Sequence, residues 1–392
     1  RAGALLAAAA YTFAPFHMVN VYVRGDSLCE FYAFVFYPLV LWGIQRLRRS
    51  TGPGSIALVA LAYGGLVLTH NISALIFTPL AIAAVIGAAL TAGRRRAARV
   101  LLAGAAGLLL GLGLSAWYWA PALLEHSAVS LADMTTGYFH YAGHFRGANL
   151  VQPSLFFDYG IGERVTPFVL GGLQAALAAL ALAVLAVRSL RARRLRGPGV
   201  GLALLLGYAI WPITPASAWL WAHAPLLPMI QFPWRFLSLA ALATALVVAA
   251  ALPGLPRRGW IAGLLSLLLA ASALALLRPE PCPLGEADVT APRLQLYEHL
   301  TGNVGSTVRA EWLPPEAVPR PFTSASLLSG EPHPPPRAAE GSLAAARLVS
   351  AGPTWQEWDV TVDSSQASLV LQTYAFPGCQ ATDDGSPVPN ES

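Results

Sequence analysis

Residues 94–121 read RRRAARVLLAGAAGLLLGLGLSAWYWAP. Arg94, Arg95, Arg96 and Arg99 precede a run, 100–121, with no charged side chain. The run closes on Trp117, Tyr118 and Trp119, with Pro121 as terminator. About 20 apolar residues cross the hydrocarbon of a bilayer, and Trp and Tyr gather at its interface. The stretch therefore predicts a transmembrane helix with a basic end and an aromatic end.

The composition says the same of the whole chain. Of 392 residues, 55% are hydrophobic and 11% charged, and the mean hydropathy is +0.54. Soluble domains carry about 25% charged residues, so a soluble enzyme is excluded. Disorder and, with three Cys, a disulfide scaffold are excluded too. A membrane β-barrel would alternate over segments of about ten residues, and these Leu/Ala runs do not. The fold class that remains is an all-α polytopic membrane protein, with a small β domain at its C-terminus.

All 25 basic residues are Arg, and 15 of them are Arg1 or lie in four blocks free of Asp and Glu. The blocks are Arg46, Arg48 and Arg49; Arg94 to Arg99; Arg188, Arg191, Arg193, Arg194 and Arg196; and Arg257 with Arg258. The acids and the eight His lie in the intervening loops, at helix ends facing them, or in the tail. Basic short loops stay in the cytoplasm. The net charge of +5 thus reads as topogenic, with no nucleic-acid partner.

Nine helices are expected near 2–14, 28–46, 54–69, 72–92, 100–121, 166–187, 200–215, 234–252 and 259–277. With Arg1 inside, nine crossings put every block inside and the tail from Arg278 outside. A multi-pass protein of the inner membrane follows, with the bilayer as partner and an extracytoplasmic tail. Residue 1 is not Met and the first run is short, without a signal-peptide pattern. The chain reads as a piece cut inside a helix and cut again near Ser392.

Residues 1–277 form the membrane domain and 278–313 a connector. Residues 314–342 are a Pro-rich linker, and 343–392 a partial β-sandwich. Trp355–Val362 and Ser368–Tyr374 read as strands, and Asp384-Gly385 as a hairpin turn. The segment 216–233 reads as an interfacial helix. Cys282 and Cys379 both fall outside, where a disulfide is permitted, and Cys29 reads as packing. No GxGxxG, Walker A, HExxH or CxxC pattern occurs.

Ionisable groups capping apolar spans are costly and become candidates for function. Arg24, Asp26 and Glu30 form the first group, with Asp26 as cap and Glu30 one turn inside the next helix. They suit a phosphate, a metal ion or a sugar hydroxyl, and either carboxylate suits a general base. The plain alternative is an ion pair that orients the helix. His70 and Asn71 sit at a tight turn, where they contact a head group or Asn71 merely caps a helix. Glu125 follows the aromatic belt, where it lines a cavity or is simply solvated. Gln231 and Arg235 begin the eighth span. An Arg there needs an anion: Glu30, Glu125 or a lipid phosphate. Otherwise it snorkels. His140 and His144 have metal-ligand spacing only on a helix, and Gly137 and Gly143 oppose one, so no metal site is read.

Five segments (YTFAPFHMVNVYVRGDSLCEFYAFVFYPLVLW, LTHNISALIFTPL, LGLSAWYWAPALLE, MIQFPWRFLSLA and TGNVGSTVRAEWLP) resemble, in order, a family of bacterial multispanning proteins. It is known as the 6-pyruvoyl-tetrahydropterin synthase-related membrane domain family, and it looks like a branch of the GT-C membrane glycosyltransferases. The ending LVLQTYAFPGCQATDDGSPV is similar to the family's extracytoplasmic β-domain. The family elements are matched at Arg24, Gly25 and Glu30, at His70 and Asn71, and at Gln231 to Arg235. The resemblance implies sugar transfer from a polyprenyl-phosphate donor to an extracytoplasmic acceptor, with a divalent cation as cofactor. The superfamily's acidic first outer loop is not in the chain. Arg24 and Arg235 would hold the donor phosphate, and Glu30 or a carboxylate upstream would take the acceptor proton. The rivals are a flippase of lipid-linked sugars, disfavoured by the lack of mid-span charge, and a non-catalytic assembly protein of the envelope.

Overall fold

A computed structural model describes residues 1–25, 27–162, 165–192, 196–301, 311–317, 329 and 333–389. The helices are α1 (Ala2–Thr12), α2 (Pro15–Met18), α3 (Leu28–Ala33), α4 (Phe36–Leu47), α5 (Pro53–Thr69), α6 (Asn71–Thr91), α7 (Arg94–Leu114) and α8 (Ala116–Leu124). They continue with α9 (Gly172–Arg191), α10 (Arg196–Ile210), α11 (Ala218–His223), α12 (Leu237–Ala251), α13 (Arg258–Leu274) and α14 (Ala291–Thr301). The apolar runs contain helix, although in 166–187 it begins only at Gly172. Among the described residues, five helices are long and apolar enough to cross a membrane, or seven if each of two bent pairs is one span. The nine expected crossings fall to seven because α5 and α13 have only 17 residues, and to five where the first and seventh runs, each half of a bent pair, are not counted.

The breaks have local causes. The run 100–121 divides at Ser115 into α7 and α8, and α7 starts six residues early, so its Arg block forms the first helical turns instead of a loop. Ser115 Oγ donates to the carbonyls of Gly111 and Leu112. Pro38 lacks an N–H and its ring crowds the carbonyl four residues back. The chain accordingly breaks at Phe34 and Val35, between α3 and α4. The freed Phe34 carbonyl accepts the Tyr11 hydroxyl at 2.7 Å. Pro79 lies inside α6 without ending it. The expected interfacial helix at 216–233 is only the six residues of α11, in a segment bent 90° from the one before it.

The chain comprises two compact units. The first holds Arg1–Ala120 and Thr135–Glu280. Within it, α4 to α7 pack together, and α12 packs against α1, α9 and α10. Helix α7 approaches closely through glycines on one face. A Cβ on Gly104 would meet Val85 at 2.5 Å, one on Gly107 would meet Val59 at 2.8 Å, and one on Gly111 would meet the Ala60 carbonyl at 2.7 Å. Small residues at such crossings let backbones pack without a side-chain layer. Helix α12 is buried on all sides, whereas Leu61, Leu90, Leu102, Leu109, Leu267 and Trp260 are exposed. Apolar side chains pointing outward from apolar helices suit contact with lipid. Two Arg blocks reach helix ends: Arg96 donates to the Arg49 carbonyl after α4 at 2.8 Å, and Arg188 to the Ala251 carbonyl at the end of α12 at 2.9 Å. Cations satisfy free carbonyls at helix C-termini in this way.

The second unit holds Pro121–Met134 and Pro281–Ser392. Its strands are β1 (Arg337–Glu340), β2 (Leu343–Ala351), β3 (Gln356–Val362), β4 (Ser368–Val370), β5 (Ala381–Asp383) and β6 (Ser386–Val388). They pair antiparallel as β1 with β4, β2 with β3 and β5 with β6. Among the described residues these are three separate ladders rather than a sandwich. Asp384 (φ 44°) and Gly385 (φ 83°) make the expected two-residue turn, since both positions of this hairpin turn need positive φ. The expected linker 314–342 already contains β1, and the connector 278–313 contains α14. No disulfide joins Cys282 to Cys379, and both side chains are exposed.

Candidate functional site

The first unit brings Arg24, Glu30 and Arg235 together. Residues 19–23 form a π-helical turn, in which the Arg24 N–H reaches back to the Val19 carbonyl at 2.9 Å. Such turns insert one residue into a helix and are frequent at functional sites. Gly25 has φ +62°, a value open to Gly at no steric cost. There the chain turns toward α3, whose first turn carries Glu30. The Glu30 carboxylate pairs with the Arg24 guanidinium, and its Oε2 lies 3.6 Å from Arg235 Nε. The Glu30 side chain is 2% exposed, Arg24 16% and Arg235 8%.

Arg235 comes from a short 3-10 turn, Pro233–Phe236, before α12. Its Nη1 donates to the Ile230 carbonyl at 2.8 Å and to Gln231 Oε1 at 3.4 Å. Gln231 has φ 65°, an uncommon backbone state for a residue with a side chain. Phe168, Trp234 and Phe232 stack at 4.2 and 4.8 Å between ring centres. Arg24 lies over Trp234 and Arg235 over Phe232, each at 5.1 Å. Cations over aromatic faces gain electrostatic attraction where water is scarce.

His70 caps α6, its Nδ1 accepting the Ser73 N–H at 3.1 Å. An accepting Nδ1 leaves the proton of the neutral ring on Nε2. His70 lies within electrostatic range of Glu30, Arg235 and Arg24. Tyr37 hydrogen-bonds to the Ser73 carbonyl and to Ser238 Oγ, and Ser238 donates to the Arg235 carbonyl. This buried polar chain ties α4, α6 and α12 together behind the ion cluster.

Five of the eight residues singled out in the sequence thus gather here: Arg24, Glu30, His70, Gln231 and Arg235. Asn71 is exposed and its Oδ1 accepts the Ile72 N–H. The cap is His70, because its ring already takes the donor that Asn71 was expected to satisfy. Glu125 is exposed and belongs to the second unit. Asp26 lies outside the described residues. His140 lies between two short 3-10 turns and His144 ends the second of them, where it packs edge-on to Phe232 at 4.7 Å. Sequence reasoning missed Asn20, Tyr37, Ser73, Ser238 and the aromatic stack. Asn20 had a signal: an amide in the apolar run PFHMVNVYV, four residues before Arg24.

A cavity of about 520 Å³ opens beside the π turn, lined by Tyr22, Val23, Tyr159, Ile161 and Leu276 with Arg278 and Glu280. A divalent cation does not fit the cluster. The Glu30 oxygen that would bind it is already shared by two guanidiniums. Among the described residues, no three His, Cys, Asp or Glu side chains group to hold a metal ion. No family model, curated protein or solved structure matches the chain.

Proposed function

We propose that the chain is a multi-pass protein of the bacterial inner membrane, with its Arg blocks in the cytoplasm. It would act on an amphiphile whose phosphate lies at the Arg24–Glu30–Arg235 cluster, by GT-C-like transfer of a sugar from a polyprenyl-phosphate donor to an acceptor outside. The observation that carries this reading is the sharing of one buried carboxylate by two guanidiniums drawn from opposite parts of the unit and walled by stacked rings. In the transfer, the bond from the sugar's anomeric carbon to phosphate oxygen breaks, and a bond to the acceptor oxygen forms. The donor phosphate leaves with added negative charge, which fixed guanidiniums stabilise without reorganising. Glu30 serves first to orient both arginines. Its Oε2 holds both arginines, and its other oxygen, Oε1, would take the acceptor proton. The cavity beside Val23, one residue from Arg24, would accommodate the apolar part of the substrate.

The test is transfer by the protein in vesicles loaded with a polyprenyl-phosphate-linked sugar. Arg24→Ala should lower the rate by about 100-fold or more, and unchanged rates for both Arg24→Ala and Arg235→Ala would remove the proposal. Sidedness has its own test. An impermeant thiol reagent should label Cys282 in intact cells and leave untouched an Arg191→Cys variant whose three native cysteines have been replaced by Ser. A flippase is the second reading, favoured by the 42° bend between Ala2–Thr12 and Pro15–Val23, the segment that leads into Arg24. Transporters use interrupted helices in this way. Movement of the lipid-linked sugar across vesicles without any transfer would select it.

A further inference from the structure

We infer that Asn20 is a positioning residue: it clamps one end of the Arg24 guanidinium so that the Nε–Nη2 edge is presented to a two-oxygen anion, the phosphate of an amphiphile. The inference rests on the phosphate reading above and adds the residue and the edge that perform it.

Arg24 Nη1 carries two hydrogens, and both are engaged. One goes to Asn20 Oδ1 at 2.6 Å and the other to the Glu30 carboxylate. Asn20 is fully buried, and its Nδ2 donates to the Phe16 carbonyl at 2.9 Å. That bond fixes the amide's orientation, so Oδ1 must face Arg24. The Trp234 ring covers one face of the guanidinium. Among the described residues, neither Nε nor Nη2 of Arg24 has a hydrogen-bond partner. This side chain is also the most exposed of the three in the cluster. The Nε–H and Nη2–H bonds of an arginine run parallel and match two oxygens of a phosphate or carboxylate, a geometry that lysine cannot reproduce. Arg235 is used differently. Its Nη1 is held by Ile230 and Gln231 and its Nε faces Glu30. Arg235 therefore braces the site, and Arg24 meets the ligand.

The test uses the full chain in phosphatidylcholine nanodiscs, with a fluorescent long-chain isoprenoid monophosphate as probe. Arg24→Lys should weaken binding about tenfold, because the charge remains and the fork is lost. Asn20→Leu should weaken it by a similar factor. In an Arg24→Ala background Asn20→Leu should cost nothing more, since Asn20 acts through Arg24. A loss that persists in that background would make Asn20 merely structural and overturn the inference. So would wild-type binding by Arg24→Lys, a variant that leaves Asn20 in place and stands even if Asn20→Leu fails to fold. If Arg24→Ala weakens binding and Asn20→Leu does not, only the role of Asn20 falls. If Arg24→Ala binds as wild type, the phosphate reading itself falls. Competition by inorganic phosphate supports recognition of the phosphate alone, and lack of competition supports a lipid-borne one.

Discussion

Among the described residues, the Arg–carboxylate contacts at Glu30 and at Asp359 share one chemistry in opposite surroundings. Glu30 is 2% exposed between Arg24 and Arg235. Arg347 and Asp359 face each other across the β2–β3 ladder at 3.2 Å, with side chains 76% and 61% exposed. Removing one partner of a buried pair strands the other's charge and costs about 3–5 kcal/mol, while exposed pairs contribute about 0–1 kcal/mol. Glu30→Gln should therefore produce the largest loss of thermal stability of any change considered, and Asp359→Asn a loss of under about 0.5 kcal/mol. Equal shifts in the two melting curves would mean that burial does not separate these pairs.

The same contrast can be sharpened within one helix, where no charge is involved. Gly111 of α7 touches the Ala60 carbonyl and the Gly64 N–H through the position its Cβ would take, while nothing lies within 4 Å of the Cβ position of Gly113. Gly111→Ala should cost about 1–3 kcal/mol by overpacking. Gly113→Ala should gain up to about 1 kcal/mol from helix propensity. Thermal unfolding in detergent would show opposite signs, and a shared sign would break the argument. Tyr11→Phe ranks next. It leaves the Phe34 carbonyl, already freed by Pro38, without its donor, at about 1–3 kcal/mol. The double variant Tyr11→Phe with Pro38→Ala should recover part of that loss, because α4 could then satisfy the carbonyl itself.

Which parts of this arrangement were legible beforehand follows from the range of the forces involved. Apolar runs such as 71–91 announce helices because hydropathy is local. Asp384-Gly385 announced its turn because positive φ is a local steric demand. Arg24, Glu30 and Arg235 stood out because a charge beside an apolar run needs a partner. That the partner of Arg235 is Glu30 and not Glu125 depends on how distant segments pack, and no spacing rule carries that. The break at Ser115 was hidden because hydropathy runs smoothly through it, and the early start of α7 because hydropathy marks where apolar residues begin and not where the backbone turns helical. The ladders of the tail were only half legible, since β1 lies in a stretch whose prolines argued for a linker.

The smallest effect expected is that of acid on the loop between α8 and α9. His144 is half-buried, its Nε2 contacting the Tyr138 carbonyl. Burial holds its pKa below the ordinary 6.5. The folded loop therefore binds a proton less readily than the unfolded chain. Its contribution to stability is complete above about pH 6.5 and declines as the pH falls below that value, because the unfolded state gains protons first. Replacing His144 with Gln should make the stability profile less steep between pH 7.5 and pH 5, read by melting in nanodiscs. A variant with the wild-type slope would assign the acid response to another group. Raising salt supplies the matching control. It should weaken the exposed Arg347–Asp359 pair, which ions can screen, and leave the His144 response unchanged, because desolvation and not a distant charge is its main cause.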